Sequence, residues 1–159
     1  MNGISGNFYF DENLNPIVNS KEYVKVTFQK INGSSSFTIT DNKGYTYIFG
    51  GNDAFIEKTI ASSSNGLGPK DRYDSSWFIK EIISPNQNKI SFTYQDNQIS
   101  FNSGTSFSLI YDQDCICTGV DLISYSSKYS PSVLHNTTSS KALSEIILSN
   151  GKISFAYNT

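Results

Sequence analysis

Apolar and polar residues alternate along most of the chain. The alternation is regular in five stretches, whose apolar positions are Val24, Val26 and Phe28; Tyr45, Tyr47 and Phe49; Ile90, Phe92 and Tyr94; Phe107, Leu109 and Tyr111; and Ile153, Phe155 and Tyr157. A period of two is typical of a half-buried β-strand, because successive side chains of a strand point to opposite faces. The pattern therefore predicts a strand in each of these stretches.

Segments rich in Asn, Asp, Gly, Ser and Pro separate the apolar stretches, at residues 11–16, 31–36, 41–44, 84–88 and 149–151. Each predicts a hairpin, because these residues tolerate positive φ or close a turn with their own side chain. The best helical candidates, 52–60 and 139–147, also fit strands. The predicted fold is mostly β, an antiparallel sheet built from successive β-hairpins with little or no helix. A meander, a sandwich-like and an open barrel-like arrangement all fit this pattern.

The length of 159 residues favours one β domain spanning 1–159. Two stretches without periodicity, 61–76 and 124–141, are predicted to be long loops. The last strand runs to Thr159 with no polar cap after it, which favours a fragment of a longer chain. An edge strand that simply ends there is the alternative.

Charge is sparse in this sequence. The net charge is −2, the pI is near 5.3, and charged residues make up 16% of the chain. Nucleic-acid binding is not expected, because it draws on a concentrated positive charge that this chain lacks. No run of about 18 apolar residues predicts a membrane span, and the first ten residues do not resemble a signal peptide. The protein is therefore either cytosolic or exported with its leader removed.

One phrase occurs twice. Residues 81–94 read EIISPNQNKISFTY, and residues 145–157 read EIILSNGKISFAY with one residue fewer in the turn. Both copies predict a hairpin whose second strand places Ile, Phe and Tyr on one face. We expect the strands of the two copies to pair alike and the extra residue to be confined to the turn.

These phrases, together with FDENLNP and FTITDNKGYTYIFGG, resemble the region ahead of or within large RHS or YD-repeat-like surface proteins of Bacteroidetes-type bacteria. The Tyr-Asp pair and the Gly-Arg of true YD repeats are absent from these phrases, and Gln87-Asn88 stands where the phrase usually has Gly, so the resemblance is to a divergent or flanking segment. It implies an exported, non-enzymatic β scaffold at the cell surface or outside the cell. Its partners would be other domains of the same larger chain or other cell-surface proteins. No catalytic residue and no cofactor follow from it.

A weak calcium candidate lies in residues 11–22. Counted from the first residue, Asp11, Asn13, Asn15 and Glu22 occupy positions 1, 3, 5 and 12 of an EF-hand loop. Pro16 stands where the EF-hand requires Gly, and the flanking residues predict strands. The alternative is a plain hairpin turn closed by Asx-type hydrogen bonds.

The cysteines and the histidine of this sequence do not form a recognisable catalytic motif. Cys115 and Cys117 are one residue apart, which strains a disulfide, and a metal site there would need two more soft ligands. Their redox state is left open. The sole histidine, His135, lies in a polar segment, and no Gly-x-Ser-x-Gly motif accompanies it. The sequence therefore predicts a protein that is not an enzyme.

Aromatic residues are the remaining functional signal. Tyr73 and Trp77 flank the first predicted loop, and Tyr125 and Tyr129 lie at the second. Exposed rings there could stack on sugar faces, which makes a carbohydrate-binding module the alternative to the scaffold. Most aromatic residues of a β protein belong to the core or to cross-strand pairs, and Trp77 at the start of a strand fits that description.

Overall fold

The computed structural model of the protein describes residues 6–63, 71–111 and 127–157. The strands are, in chain order, β1 (Gly6–Phe10), β2 (Pro16–Ser20), β3 (Val24–Ile31), β4 (Ser34–Asp41), β5 (Thr46–Gly50), β6 (Ile56–Ser63), β7 (Asp71–Trp77), β8 (Ile79–Ile83), β9 (Lys89–Tyr111), β10 (Ser127–Leu148) and β11 (Gly151–Ser154). In these three segments the helical content is one 3-10 turn at Asp53–Phe55, before β6. The mostly β fold class is confirmed.

The strands form two antiparallel sheets. β1 and β2 make a two-stranded sheet, and the other strands make a nine-stranded sheet in the order β3-β4-β5-β8-β9-β10-β6-β7, with β11 paired to β10. The sheet is not closed into a barrel. Hairpins occur at all five predicted turn segments, so these predictions are confirmed.

The chain divides into two compact units. The first comprises Met1–Thr59, Tyr73–Ile99 and Thr138–Thr159, and the second comprises Ile60–Arg72 and Ser100–Thr137. The first therefore contains the hairpins β3–β4, β8–β9 and β10–β11. The second contains the end of β6, the start of β7, the end of β9 and the start of β10. A single domain spanning 1–159 stays a prediction.

The prediction of long loops at 61–76 and 124–141 is wrong for the described part of these stretches. β6 continues to Ser63, β7 occupies Asp71–Trp77, and β10 begins at Ser127. Ser and Thr are frequent in these strands, and their hydroxyls bond across the sheet, as Thr59 Oγ1 does to Ser75 Oγ at 3.1 Å. Polar residues on both faces remove the alternation from which strands are recognised, while cross-strand hydroxyl pairs still stabilise the sheet.

Three hairpin turns, β1–β2, β4–β5 and β8–β9, share one backbone geometry. The N–H of the first residue donates to the C=O of the fifth, and the N–H of the fourth donates to the C=O of the first. The side-chain oxygen of the first residue accepts the N–H of the fifth, and the fourth residue has a positive φ. These first, fourth and fifth residues are Asp11, Leu14 and Asn15; Asp41, Gly44 and Tyr45; and Ser84, Gln87 and Asn88, with hydrogen bonds of 2.7 to 3.1 Å.

The core of the first unit contains a cluster of aromatic rings. Phe37 on β4 lies opposite Phe28 on β3, and its ring also contacts Phe8, Phe10 and Trp77, with centroid distances of 5.0 to 6.3 Å. Such tilted and edge-to-face pairs add to the free energy gained from burial of the rings. Phe37 is only 6% exposed, so this cluster buries Phe28, one of the apolar positions of the alternation on β3, against β4.

Candidate interaction surface

The two copies of the repeated phrase form hairpins with the same register. In the first copy Glu81 lies opposite Ser91, and Ile82 opposite Ile90. In the second copy the equivalent pairs are Glu145 with Ser154, and Ile146 with Ile153. The extra residue of the first copy lies in its turn, as predicted from the sequence.

The same two side-chain interactions hold each hairpin. A lysine at the start of the second strand pairs with the glutamate of the first, with Nζ–Oε1 distances of 3.4 Å for Lys89 and Glu81 and 2.7 Å for Lys152 and Glu145. The phrase also ends in a tyrosine whose hydroxyl donates to the carbonyl oxygen two residues before that glutamate. These bonds are Tyr94 to Ile79 at 2.8 Å and Tyr157 to Leu143 at 2.7 Å.

The surroundings of these groups shift their pKa values in the expected directions. The hydrogen bond from Lys152 lowers the pKa of the Glu145 carboxyl below its ordinary value. Burial raises the pKa of the Tyr94 hydroxyl, because the phenolate would lose its hydration. Glu145 is therefore ionised and Tyr94 is a neutral donor at neutral pH.

The two copies differ in what covers them. β9 lies between β8 and β10, and its residues Ile90, Phe92 and Tyr94 are half-buried. Among the described strands β11 pairs with β10 alone, and the matching residues Ile153, Phe155 and Tyr157 are 52%, 40% and 50% exposed. We call residues 151–157, with their outer backbone edge, the β11 edge.

Backbone geometry determines which groups the β11 edge presents. The N–H of Phe155 donates to the carbonyl oxygen of Ser144 at 2.9 Å. Because the hydrogen bonds of an antiparallel strand alternate between its two sides, Ile153 also bonds towards β10. Lys152 and Ser154 therefore direct their N–H and C=O groups away from β10. An edge of this kind can accept another strand.

Polar side chains pair across β9 and β10. In the first unit, the hydroxyls of Thr93 and Ser144 are 2.9 Å apart, and Lys141 forms an ion pair with Asp96. In the second unit, Nδ1 of His135 lies 2.7 Å from Oδ1 of Asn102. From one of these pairs to the next, the residue number on β10 decreases by as much as the residue number on β9 increases. This relation is expected of two antiparallel strands.

A group of buried and half-buried Ser and Thr residues lies around Glu57 on β6. Thr59 Oγ1 lies 3.0 Å from Thr138 Oγ1, and Ser75 Oγ donates to Glu57 Oε1 at 2.9 Å. Hydrogen bonds from Ser140 first, and then from Ser75 and Ser76, lower the pKa of the Glu57 carboxyl. The group joins β6 to β7 and β10, and the period-two pattern gives no signal of it.

The aromatic residues predicted to bind sugar have different environments. Tyr73 lies on β7 and is 52% exposed. Trp77 is half-buried against Phe37, and a Cβ added to Gly50 would lie 2.7 Å from Trp77 Cδ1. The indole Nε1 of Trp77 is buried and has no hydrogen-bond partner among the described residues. Tyr129 lies in β10, and Tyr125 lies outside the described residues.

The residues of the calcium candidate form a hairpin turn. Asp11 Oδ1 accepts the N–H groups of Asn13 and Asn15 at 2.9 and 2.7 Å. The hydrogen bond from the Asn15 side chain first, and then those from the N–H groups of Asn15 and Asn13, lower the pKa of the Asp11 carboxyl. Glu22 lies beyond β2, so the twelve residues do not form one loop. The Asx-type turn that the sequence offered as the alternative is therefore present.

Within residues 6–63, 71–111 and 127–157, no three His, Cys, Asp or Glu side chains come together as a metal site would require. Cys115 and Cys117 lie outside these ranges.

Comparison with family models, with curated proteins and with solved structures finds no match to this chain. No helix within the described segments is long and apolar enough to cross a membrane.

Proposed function

We propose that the chain is a non-enzymatic structural and interaction module of an exported bacterial cell-surface protein of the kind that RHS and YD-repeat proteins represent. The observation that supports this proposal is the repeated hairpin. Register, the Glu–Lys ion pair and the tyrosine hydrogen bond recur in both copies. Recurrence of the register and of both side-chain contacts supports an architectural role for the hairpin.

The exposed second copy supports the interaction part of this proposal. A hairpin whose second strand has no described neighbour on its outer side keeps one edge and one apolar face accessible to a partner. Ile153, Phe155 and Tyr157 provide such a face. The partner would be another domain of the same larger chain or another cell-surface protein.

Surface labelling of intact cells tests the location. Cells that produce the full-length protein are treated with a membrane-impermeant amine-reactive biotin, and exposed lysines such as Lys152 and Lys89 provide the reactive amines. We expect the protein in the biotinylated fraction before lysis, with a cytosolic protein as the negative control. Labelling that appears only after lysis would refute an exported module.

Carbohydrate binding remains the second candidate, because Tyr73 presents an exposed ring on β7. Affinity electrophoresis in gels that contain polysaccharides tests it. Replacing Tyr73, Tyr125 or Tyr129 with Ala should then abolish retardation, while replacing the exposed Tyr23 should not. Trp77→Ala is less informative, because this side chain also packs against Phe37. If no polysaccharide retards the unmodified chain, the sugar-binding proposal fails.

A further inference from the structure

We infer that the β11 edge is a self-association site, at which a second copy of this chain adds its own β11 in antiparallel orientation across a two-fold axis. This inference rests on the proposed function, in which the chain is an interaction module. It names a second copy as the partner and an extended sheet as the product.

The first reason is the internal comparison between the two hairpins. The Ile-x-Phe-x-Tyr strand of the first copy has an antiparallel strand, β10, on its outer side. Its apolar residues are half-buried there, whereas Ile153, Phe155 and Tyr157 are exposed where no such strand is described. An antiparallel strand thus occupies the outer edge of the first copy, while the rings of Phe55 and Phe78, at 5.9 and 5.2 Å from that of Tyr94, help to cover its apolar face.

The second reason is that the β11 edge is complementary to itself. A two-fold axis at Ser154 would pair all of residues 151–157, and the outward N–H and C=O of each Ser154 would bond those of the other copy. Ile153 would then lie beside Phe155 of the second copy, a pairing of two exposed apolar side chains. Ile153 and Phe155 are 52% and 40% exposed, so both side chains are accessible to such a partner.

Charge supports the same register. An axis at Lys152 would place two ammonium groups opposite each other, which is destabilising. The axis at Ser154 instead places Lys152 opposite Ala156, and the carboxylate of Glu145 on its own hairpin stays 2.7 Å from the Lys152 ammonium. No like charges then face each other along the seven-residue edge.

A proline at the two-fold axis gives a specific test. Ser154 directs its N–H away from β10, so Ser154→Pro removes the intermolecular donor and leaves the β10–β11 hydrogen bonds in place. Ser154→Ala is the matched control, since it removes the hydroxyl that donates to Glu145 at 3.3 Å and retains the backbone N–H. Far-UV circular dichroism of both variants establishes that the sheet is retained.

Sedimentation velocity over a wide concentration range measures the association of the 159-residue chain. We expect the mass to rise from 17.6 kDa to twice that value, and Ser154→Pro to weaken dimerisation at least about tenfold because each dimer loses two symmetric donors. Ser154→Ala should dimerise like the unmodified chain. A monomer at every concentration, equal dimerisation of Ser154→Pro, or growth into open-ended assemblies would each overturn the inference.

Amide hydrogen exchange of the unmodified chain gives a second readout that needs no variant. The amides of Lys152 and Ser154 should exchange fast in dilute samples and slowly in concentrated ones. Those of Ile153 and Phe155, which bond towards β10, should not depend on concentration. Unprotected Lys152 and Ser154 in concentrated samples would contradict the site. A monomeric chain that is nonetheless labelled on intact cells would refute self-association and leave the proposed function standing.

Discussion

At the scale of single residues, the shared turn geometry requires a left-handed backbone at its fourth position. Leu14, Gly44 and Gln87 have φ values of 61°, 82° and 63°. An L side chain in this region crowds its own backbone at a cost of about 1–2 kcal/mol, and glycine does not. Two of the three turns therefore contain a residue that is less stable there than glycine would be.

Gln87→Gly should stabilise the chain, because it relieves this crowding at a smaller cost in unfolded-state entropy. We expect a gain below about 1 kcal/mol in the free energy of unfolding, measured by urea denaturation. The reverse change, Gly44→Ala, should cost about 1 kcal/mol. Gly151→Ala is the control, since Gly151 has no positive φ and open space around its Cα. Loss of stability in Gln87→Gly would show that residue 87 is not strained.

Glu57 should make the stability of the chain depend on pH. Its pKa is lowered in the folded state, so its contribution is present above the ordinary glutamate pKa of about 4.3 and is lost as the pH falls through the folded value. Glu57→Gln should therefore lose less stability than the unmodified chain between neutral pH and about pH 3. Urea denaturation at both pH values measures the difference. Equal losses would mean that the hydroxyls do not stabilise the carboxylate.

At the scale of elements, the hairpin is the unit that this sequence repeats. Its glutamate, its lysine and its terminal tyrosine lie at matching places in both copies, and each makes the same contact. The turn differs by one residue without changing the register. The strands therefore determine the pairing, and the turn adapts to it.

Removing the tyrosine hydroxyl should affect the two copies unequally. Tyr94 bonds the carbonyl of Ile79 in a half-buried position, so Tyr94→Phe should cost about 1 kcal/mol by leaving that carbonyl unpaired. Tyr157 is half exposed, and water can replace its hydroxyl, so Tyr157→Phe should cost less. Chemical denaturation of the two matched variants gives the comparison, and a larger loss for Tyr157→Phe would contradict it.

At the scale of the whole molecule, few apolar side chains are fully buried. Among the described residues, Phe37 and Ile56 are the hydrophobic residues below a tenth exposed, and many large apolar side chains remain accessible. Stability in the first unit should therefore depend on a small number of contacts.

Phe37→Ala is expected to cost about 3–5 kcal/mol in the free energy of unfolding, because it removes the central ring of the aromatic cluster. Phe101→Ala is the control, since Phe101 is exposed and its loss should cost less than about 1 kcal/mol. Denaturation followed by far-UV circular dichroism measures both. Similar losses in the two variants would show that the cluster is not the core.

Much of the local structure could be predicted from the sequence. The turns, the strands with period-two alternation and the equivalence of the two phrases follow from residue types within a few positions of each other. The hydroxyl-rich strand β7 and the first part of β10 could not be predicted, because polar residues on both faces give no alternation. The candidate surface could be predicted only in part. The alternation predicts the strand of the second copy, but its exposure depends on neighbours that are distant in sequence.

By itself, the sequence determined that the chain folds into antiparallel hairpins and that one hairpin occurs twice, because side-chain alternation and turn chemistry act locally. The tertiary structure decided the order of the strands, in which β8 pairs with β5 and the β6–β7 pair follows β10. It also decided that the first copy of the phrase is covered while the second is exposed. Pairing between distant strands determines both, since nearly identical residues in β9 and β11 acquire different roles from the strands beside them.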